Sequence, residues 1–216
     1  MYNHKFQNIQ GLRAISVIAV IFFHYEINYF TGGYLGVDIF FVISGYLMSL
    51  ILDVKISRKN IFNFYIKRIK RILPALVFII LVCLILGFFL LSTESYERLS
   101  RSSIFSSLFL SNFFFWREWG YFDLTSLNKP LLHTWSLSVE MQFYFVFPII
   151  LLVLNNLFKK IDIFFKLFFL FIILILVTEI FVESKKIATF YLMPFRLSEF
   201  LIGAIGYNFE KKYNNK

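Results

Sequence analysis

Ile72 to Leu91 is a run of twenty residues without a charge, and no other feature restricts the possible folds as far. As a helix rising 1.5 Å per residue it spans the roughly 30 Å hydrocarbon core of a bilayer. Similar apolar runs lie at 12–30, 34–52, 139–158, 163–182 and 187–209. The expected fold is therefore all-α, a polytopic transmembrane helical bundle of about six spans. The stretch 102–116 is apolar but short and rich in serine, so it is expected to be a re-entrant or interfacial helix. Composition agrees with a lipid solvent: 59% of residues are hydrophobic and 16% charged, against about a quarter charged in soluble domains.

The formal charge of +9 does not point to nucleic acid, because the cations lie between apolar runs, where they set topology. Lys55, Arg58, Lys59, Lys67, Arg68, Lys70 and Arg71 read as a short acid-free loop, which the positive-inside rule assigns to the cytoplasm. If 102–116 does not cross, Lys159, Lys160, Lys211, Lys212 and Lys216 fall inside, Lys185 and Lys186 outside, and both termini are cytoplasmic. His4 and Lys5 give the first span a weak basic flank with no small-residue cleavage signature after it, so it reads as retained. Cys83 stands alone and is a packing residue, with no partner for an internal disulfide. Trp116 to Trp135 reads as an aromatic outer loop. No zinc spacing, phosphate-cradling glycine loop or nucleophile elbow is present, so no metal is expected, and Ser44-Gly45 reads as a point of close packing.

Polar groups inside spans are costly and usually face the bundle interior. Arg13 and His24 are eleven residues apart; on one helix that is roughly 16 Å of rise, on nearly the same face. Thr31-Gly32-Gly33 forms the turn into the next run. Counting from Thr31 puts Asp38 at the depth of His24, where a carboxylate would orient the imidazole; in the first turn of its helix it also simply suits the dipole. Arg68 and Arg71, just before Pro74, are either topological anchors or a grip for phosphate. In the block from His133 to Tyr144, Ser136, Glu140 and Tyr144 follow one another at single-turn spacing. His133, Trp135 and Gln142 make that block denser in polar and aromatic groups than helix capping requires. Arg196 and Glu199 sit at i, i+3, where mutual pairing is the simplest account.

Five blocks together resemble the membrane acyltransferase-3 family of bacterial O-acyltransferases. They are Gln10-Gly-Leu-Arg-Ala14 followed by His24, Gly33-Tyr-Leu-Gly-Val-Asp-Ile-Phe-Phe-Val-Ile-Ser-Gly-Tyr-Leu47, Arg68-Ile-Lys-Arg-Ile-Leu-Pro-Ala75, His133-Thr-Trp-Ser-Leu-Ser-Val-Glu-Met-Gln-Phe-Tyr144 and Pro194-Phe-Arg-Leu-Ser-Glu-Phe-Leu-Ile-Gly203. The resemblance implies transfer of an acyl group, often acetyl, from cytoplasmic acyl-CoA to a hydroxyl of a cell-envelope glycan or lipid-linked saccharide at the bacterial inner membrane. It implies donor contacts at Arg13, Arg68 and Arg71 and catalytic roles for His24, Asp38, Ser136 and Glu140. In that scheme His24 takes the proton of the sugar hydroxyl, or carries the acyl group transiently, with Asp38 fixing its tautomer. His133, Trp135, Tyr144, Arg196 and Glu199 are then the expected acceptor contacts.

Two departures go with it. Family members have about ten spans, so residues 1–216 are expected to be a single partial domain, associating with the missing later helices or a second copy. Met141 replaces a common glutamate. The competing expectation is a catalytically inactive scaffold or binding partner of the same fold. A channel would need polar stripes on several helices, and the third span has none.

Overall fold

The computed structural model describes residues 2–54, 58–118 and 129–214, and among them all regular structure is helical. In chain order the helices are α1 (Tyr2–His24), α2 (Leu35–Val54), α3 (Arg58–Leu90), α4 (Thr93–Ser107), α5 (Ser111–Arg117), α6 (Thr134–Leu157), α7 (Ile163–Val182), α8 (Lys186–Tyr191) and α9 (Met193–Asn214), with a 3-10 turn at Asn28–Phe30. Among the described residues four segments are long and apolar enough to cross a bilayer: Leu35–Leu52, Phe64–Leu90, Thr134–Leu157 and Ile163–Val182. The chain is thus a helical membrane protein, as expected, but by this measure four spans stand where six were counted. Lys55, most of the loop expected at 116–135 and Lys216 lie outside the described residues.

Three boundaries differ from expectation, each for a local reason. The first apolar run does not stay helical to Phe30. It ends after His24, where Glu26 turns left-handed (φ 54°), its N–H bonds to the Phe23 carbonyl and that of Ile27 to the Phe22 carbonyl. This is a Schellman termination with glutamate in the position glycine usually fills. The supposed basic loop is instead the first half of α3, a 33-residue helix. Lys and Arg are good helix formers, and no Gly or Pro interrupts 58–73. The run 187–209 is broken at Leu192, which is extended, because Pro194 cannot continue a helix from α8. The stretch 102–116 is likewise split. A second Schellman turn, at Phe109 (φ 55°), separates α4 from α5, and their 15 and 7 residues are each too short to cross.

The chain divides into two compact units: 1–51, 150–176 and 197–216 form one, 52–149 and 177–196 the other. In the first, glycine sets how closely helices meet. A Cβ on Gly33 would collide with the Ala19 carbonyl and one on Gly36 with the Ser16 carbonyl, so α1 and the start of α2 touch backbone to backbone. The crossing of α2 and α9 is reciprocal, Gly45 lying on the Phe200 carbonyl and Gly203 on the Val42 carbonyl. Phe41 stacks on Phe200 at 4.6 Å, and the Tyr46 hydroxyl donates to Glu210 Oε2 at 2.7 Å. No described glycine has positive φ, so proximity and not backbone freedom explains them.

In the second unit Leu76, Ile80, Leu99 and Leu131 form the apolar core, with Cys83 packed against it as expected. Helix α4 starts at the Ser92 cap and carries exposed i, i+4 pairs, Arg98 with Glu94 at 2.7 Å and Arg101 with Glu97 at 2.6 Å. Its buried face is mostly serine. Ser102 and Ser103 return their hydroxyls to the Leu99 carbonyl at 2.8 Å, so small polar residues can line a helix contact without loss.

Two prolines leave carbonyls that side chains satisfy. Pro148 has no N–H for the Tyr144 carbonyl four residues earlier, and the Tyr65 hydroxyl donates to that oxygen at 3.1 Å. Pro194 leaves the Phe190 carbonyl in the same state, and Arg196 Nε donates to it at 2.9 Å. Tyr65→Phe should therefore destabilise the protein by about 1–3 kcal/mol, the cost of stranding a buried acceptor, as a lowered unfolding midpoint in detergent. An unchanged midpoint would mean that the carbonyl does not need Tyr65.

Candidate active site

Helix α6 carries two polar stripes. Thr134, Ser138 and Gln142 follow at four-residue spacing; Ser136, Glu140 and Tyr144 repeat that spacing two positions on, about 200° around the helix. The first stripe is structural. Ser106 and Thr134 share a hydrogen bond at 2.8 Å, Thr134 donates to Ser111 at 3.0 Å, and Ser111 and Ser138 meet at 2.7 Å. Gln142 and Asn112 exchange amide bonds at 2.8 and 3.3 Å, and Asn112 also donates to the Tyr191 carbonyl at 3.2 Å. This network binds α4, α5, α6 and α8, and in a dry interior satisfied groups of this kind fix one arrangement. Sequence reasoning named Gln142 without a role and missed Asn112, Ser111 and Ser138. The four-residue repeat through an apolar helix was the available signal.

The second stripe holds the candidate chemistry of this unit. The Tyr144 hydroxyl donates to Glu140 Oε1, so the expected alignment one turn apart is realised. Across from it, α3 lays the Arg68 guanidinium over the Tyr144 ring at 4.6 Å and over Phe64 at 5.4 Å. Arg68, Tyr144 and Glu140, assigned separately from the sequence, thus form one chain of contacts. Arg71, three residues past Arg68, is exposed. Ser136 donates to the His133 carbonyl at 3.1 Å, and His133 itself is exposed. Trp135 is only 3% exposed, packed on Phe190 at 4.7 Å and Tyr191 at 5.5 Å. The Arg196 guanidinium lies over Phe190 at 4.9 Å and Trp135 at 5.8 Å. Trp135 and Arg196 are brought together, in an aromatic core. A cavity of about 110 Å³ between α4, α5 and Lys129–Leu131 has Glu94, Arg98, Phe114 and Glu118 in its wall and none of the expected site residues.

In the other unit Arg13 and His24 share α1, which keeps them on one face. Arg13 is half-buried, and its Nε, enclosed, has no hydrogen-bond partner among the described residues. His24, expected to be buried, is exposed at the last turn of α1. Its Nδ1 is 2.8 Å from the Val20 carbonyl. A carbonyl only accepts, so Nδ1 carries the proton and Nε2 the lone pair. The tautomer-fixing bond given to Asp38 is thus made by the helix itself. Asp38 is half-buried in the first turn of α2, as expected. The contact of Gly36 with Ser16 puts Asp38 near the level of Ser16, roughly 12 Å along the axis from His24 at 1.5 Å per residue. Counting from Thr31 failed because 25–34 are a connection lying outside both helices. Glu199, on α9, is half-buried. Among the described residues, no group of three or more His, Cys, Asp or Glu is placed to hold a metal.

Residues 6–216 match the profile of a family described as an acyltransferase domain. The O-acetyltransferase OatA of Staphylococcus aureus is 33% identical over 213 residues, 95% of this chain and 35% of that protein. The peptidoglycan O-acetyltransferase OatA of Listeria monocytogenes is 40% identical over 157 residues, 70% of this chain and 25% of that protein. A putative O-acetyltransferase of S. aureus is 38% identical over 156 residues, 70% of this chain and 26% of its own length. The chain therefore spans about a third or less of the relatives it matches. No solved structure matches it.

Proposed function

Since the chain belongs to the acyltransferase-3 family, we propose that it moves an acetyl group from cytoplasmic acetyl-CoA to a hydroxyl of a cell-envelope glycan. Peptidoglycan, which the Listeria relative's name specifies, is the first acceptor to try; a lipid-linked saccharide is the second. The protein would sit in the bacterial inner membrane with both termini cytoplasmic. Arg68 and Arg71, one turn apart on α3, would take the phosphates of CoA, a use for which guanidinium geometry is suited. Arg13 would contribute from α1 through its unpartnered Nε.

The observation that carries the reading is His24. Its imidazole is exposed and held by Val20 in the tautomer that puts the basic lone pair on Nε2. Nε2 accepts the proton of the sugar hydroxyl as that oxygen attacks the thioester carbonyl. The C–O bond forms, the C–S bond breaks, and the departing CoA sulfur takes the proton back from the imidazolium. Glu140 and Ser136 would act on the acceptor from α6, with His133 and Glu199 as further acceptor contacts.

Membranes containing the full chain, given acetyl-CoA labelled in the acetyl group together with peptidoglycan or lipid-linked saccharide, should yield labelled glycan. Absence of label, with the protein present in the membrane, would overturn the reading in favour of a non-catalytic scaffold of the same fold.

A further inference from the structure

We infer that Tyr144 is a positioning residue which couples the donor-facing Arg68 to the carboxylate of Glu140, and not a substrate contact; this rests on the acyl-transfer reading above. Its position in the polar block suggested an acceptor contact. The side chain has no exposed surface, however, and a ring enclosed on all sides cannot offer its hydroxyl to a sugar. Each of its parts is already engaged. The hydroxyl donates to Glu140 Oε1. One face carries the Arg68 guanidinium at 4.6 Å, and Phe64 meets the ring edge-on at 5.8 Å. The backbone carbonyl, freed by Pro148, accepts from Tyr65 at 3.1 Å. Phe64, Tyr65 and Arg68, all within five residues of α3, converge on this one residue of α6.

The arrangement does two things at once. A guanidinium stacked on a ring uses its flat face, so its in-plane N–H donors remain directed outward, where an anionic donor substrate can take them. The same ring, through its hydroxyl, holds Glu140 in one rotamer. Removing the hydroxyl and removing the ring should therefore have separable consequences, which a residue that merely filled space would not produce.

The test uses the full chain in lipid nanodiscs, with CoA binding and acetyl-transfer kinetics measured for wild type, Tyr144→Phe and Tyr144→Leu. Tyr144→Phe keeps the ring. CoA affinity should stay within about twofold of wild type, while kcat falls about tenfold or more through loss of a bond to a charged group. Tyr144→Leu removes the platform as well, and CoA affinity should fall about three- to tenfold further. A readout that needs no substrate accompanies these. Phenylglyoxal modification of Arg68, followed by mass spectrometry, should run at the wild-type rate in Tyr144→Phe and faster in Tyr144→Leu. Equal CoA affinity and equal Arg68 modification in the two variants, or an unchanged kcat in Tyr144→Phe, would overturn the inference. A wild-type chain that binds no CoA would instead overturn the acyl-transfer reading, with the coupling still decided by the Arg68 modification rates.

Discussion

Replacing His24 by alanine should lower acetyl transfer by about 10²–10⁴-fold, the range for loss of a general base, with the amount of folded protein unchanged. The second half of that expectation follows from exposure. His24 occupies the last turn of α1 with its ring open to its surroundings, so its removal leaves no cavity in the core. What is lost is one i, i+4 bond to the Val20 carbonyl and an edge contact with Phe23 at 5.3 Å. A drop in activity can then be read as chemistry, provided immunoblots of the membrane fraction show equal protein. Full glycan acetylation by His24→Ala would remove the imidazole from the mechanism.

The largest effect on stability is expected at the crossing of α2 and α9. Gly45→Leu should cost more than the roughly 1–3 kcal/mol typical of overpacking, because the added Cβ would meet the Phe200 backbone and not a side chain that can turn away. The helices would have to separate, breaking the Phe41–Phe200 stack and the Tyr46–Glu210 bond. Gly203→Leu should do the same from the other side, since its Cβ would meet Val42 and Tyr46 backbone atoms. Gly206 lies three residues along α9, where an added Cβ would meet nothing within 4 Å, and Gly206→Ala should be neutral or slightly stabilising. Unfolding midpoints and monodisperse yield in one detergent would compare the three. Equal tolerance at 45, 203 and 206 would mean that the helices are not in backbone contact.

What could be read from the sequence was what a single helix encodes. The span at 163–182 was placed to the residue, because nothing in it competes with an apolar helix. The Glu140–Tyr144 bond followed from spacing alone. Close packing at Gly45 was legible; its partner Gly203, 158 positions away, was not. The end of α1 was missed because Glu26 does the work for which one searches for glycine. The start of α3 was missed because the positive-inside rule reports which side of a membrane cations prefer and says nothing of whether they are helical. The satisfied carbonyls at Tyr144 and Phe190 depend on donors from elsewhere, Tyr65 and Arg196, which the prolines foretell only as a need.

The two sets of polar groups on α6 fix its rotation twice. Thr134, Ser138 and Gln142 are answered by one group of neighbours, Glu140 and Tyr144 by another. A single residue inserted or deleted near position 138 would swing everything beyond it by about 100°, setting amides where the carboxylate belongs and apolar groups against the hydroxyls. Substitution can explore this stretch one letter at a time, whereas its length is held as firmly as the thread of a screw.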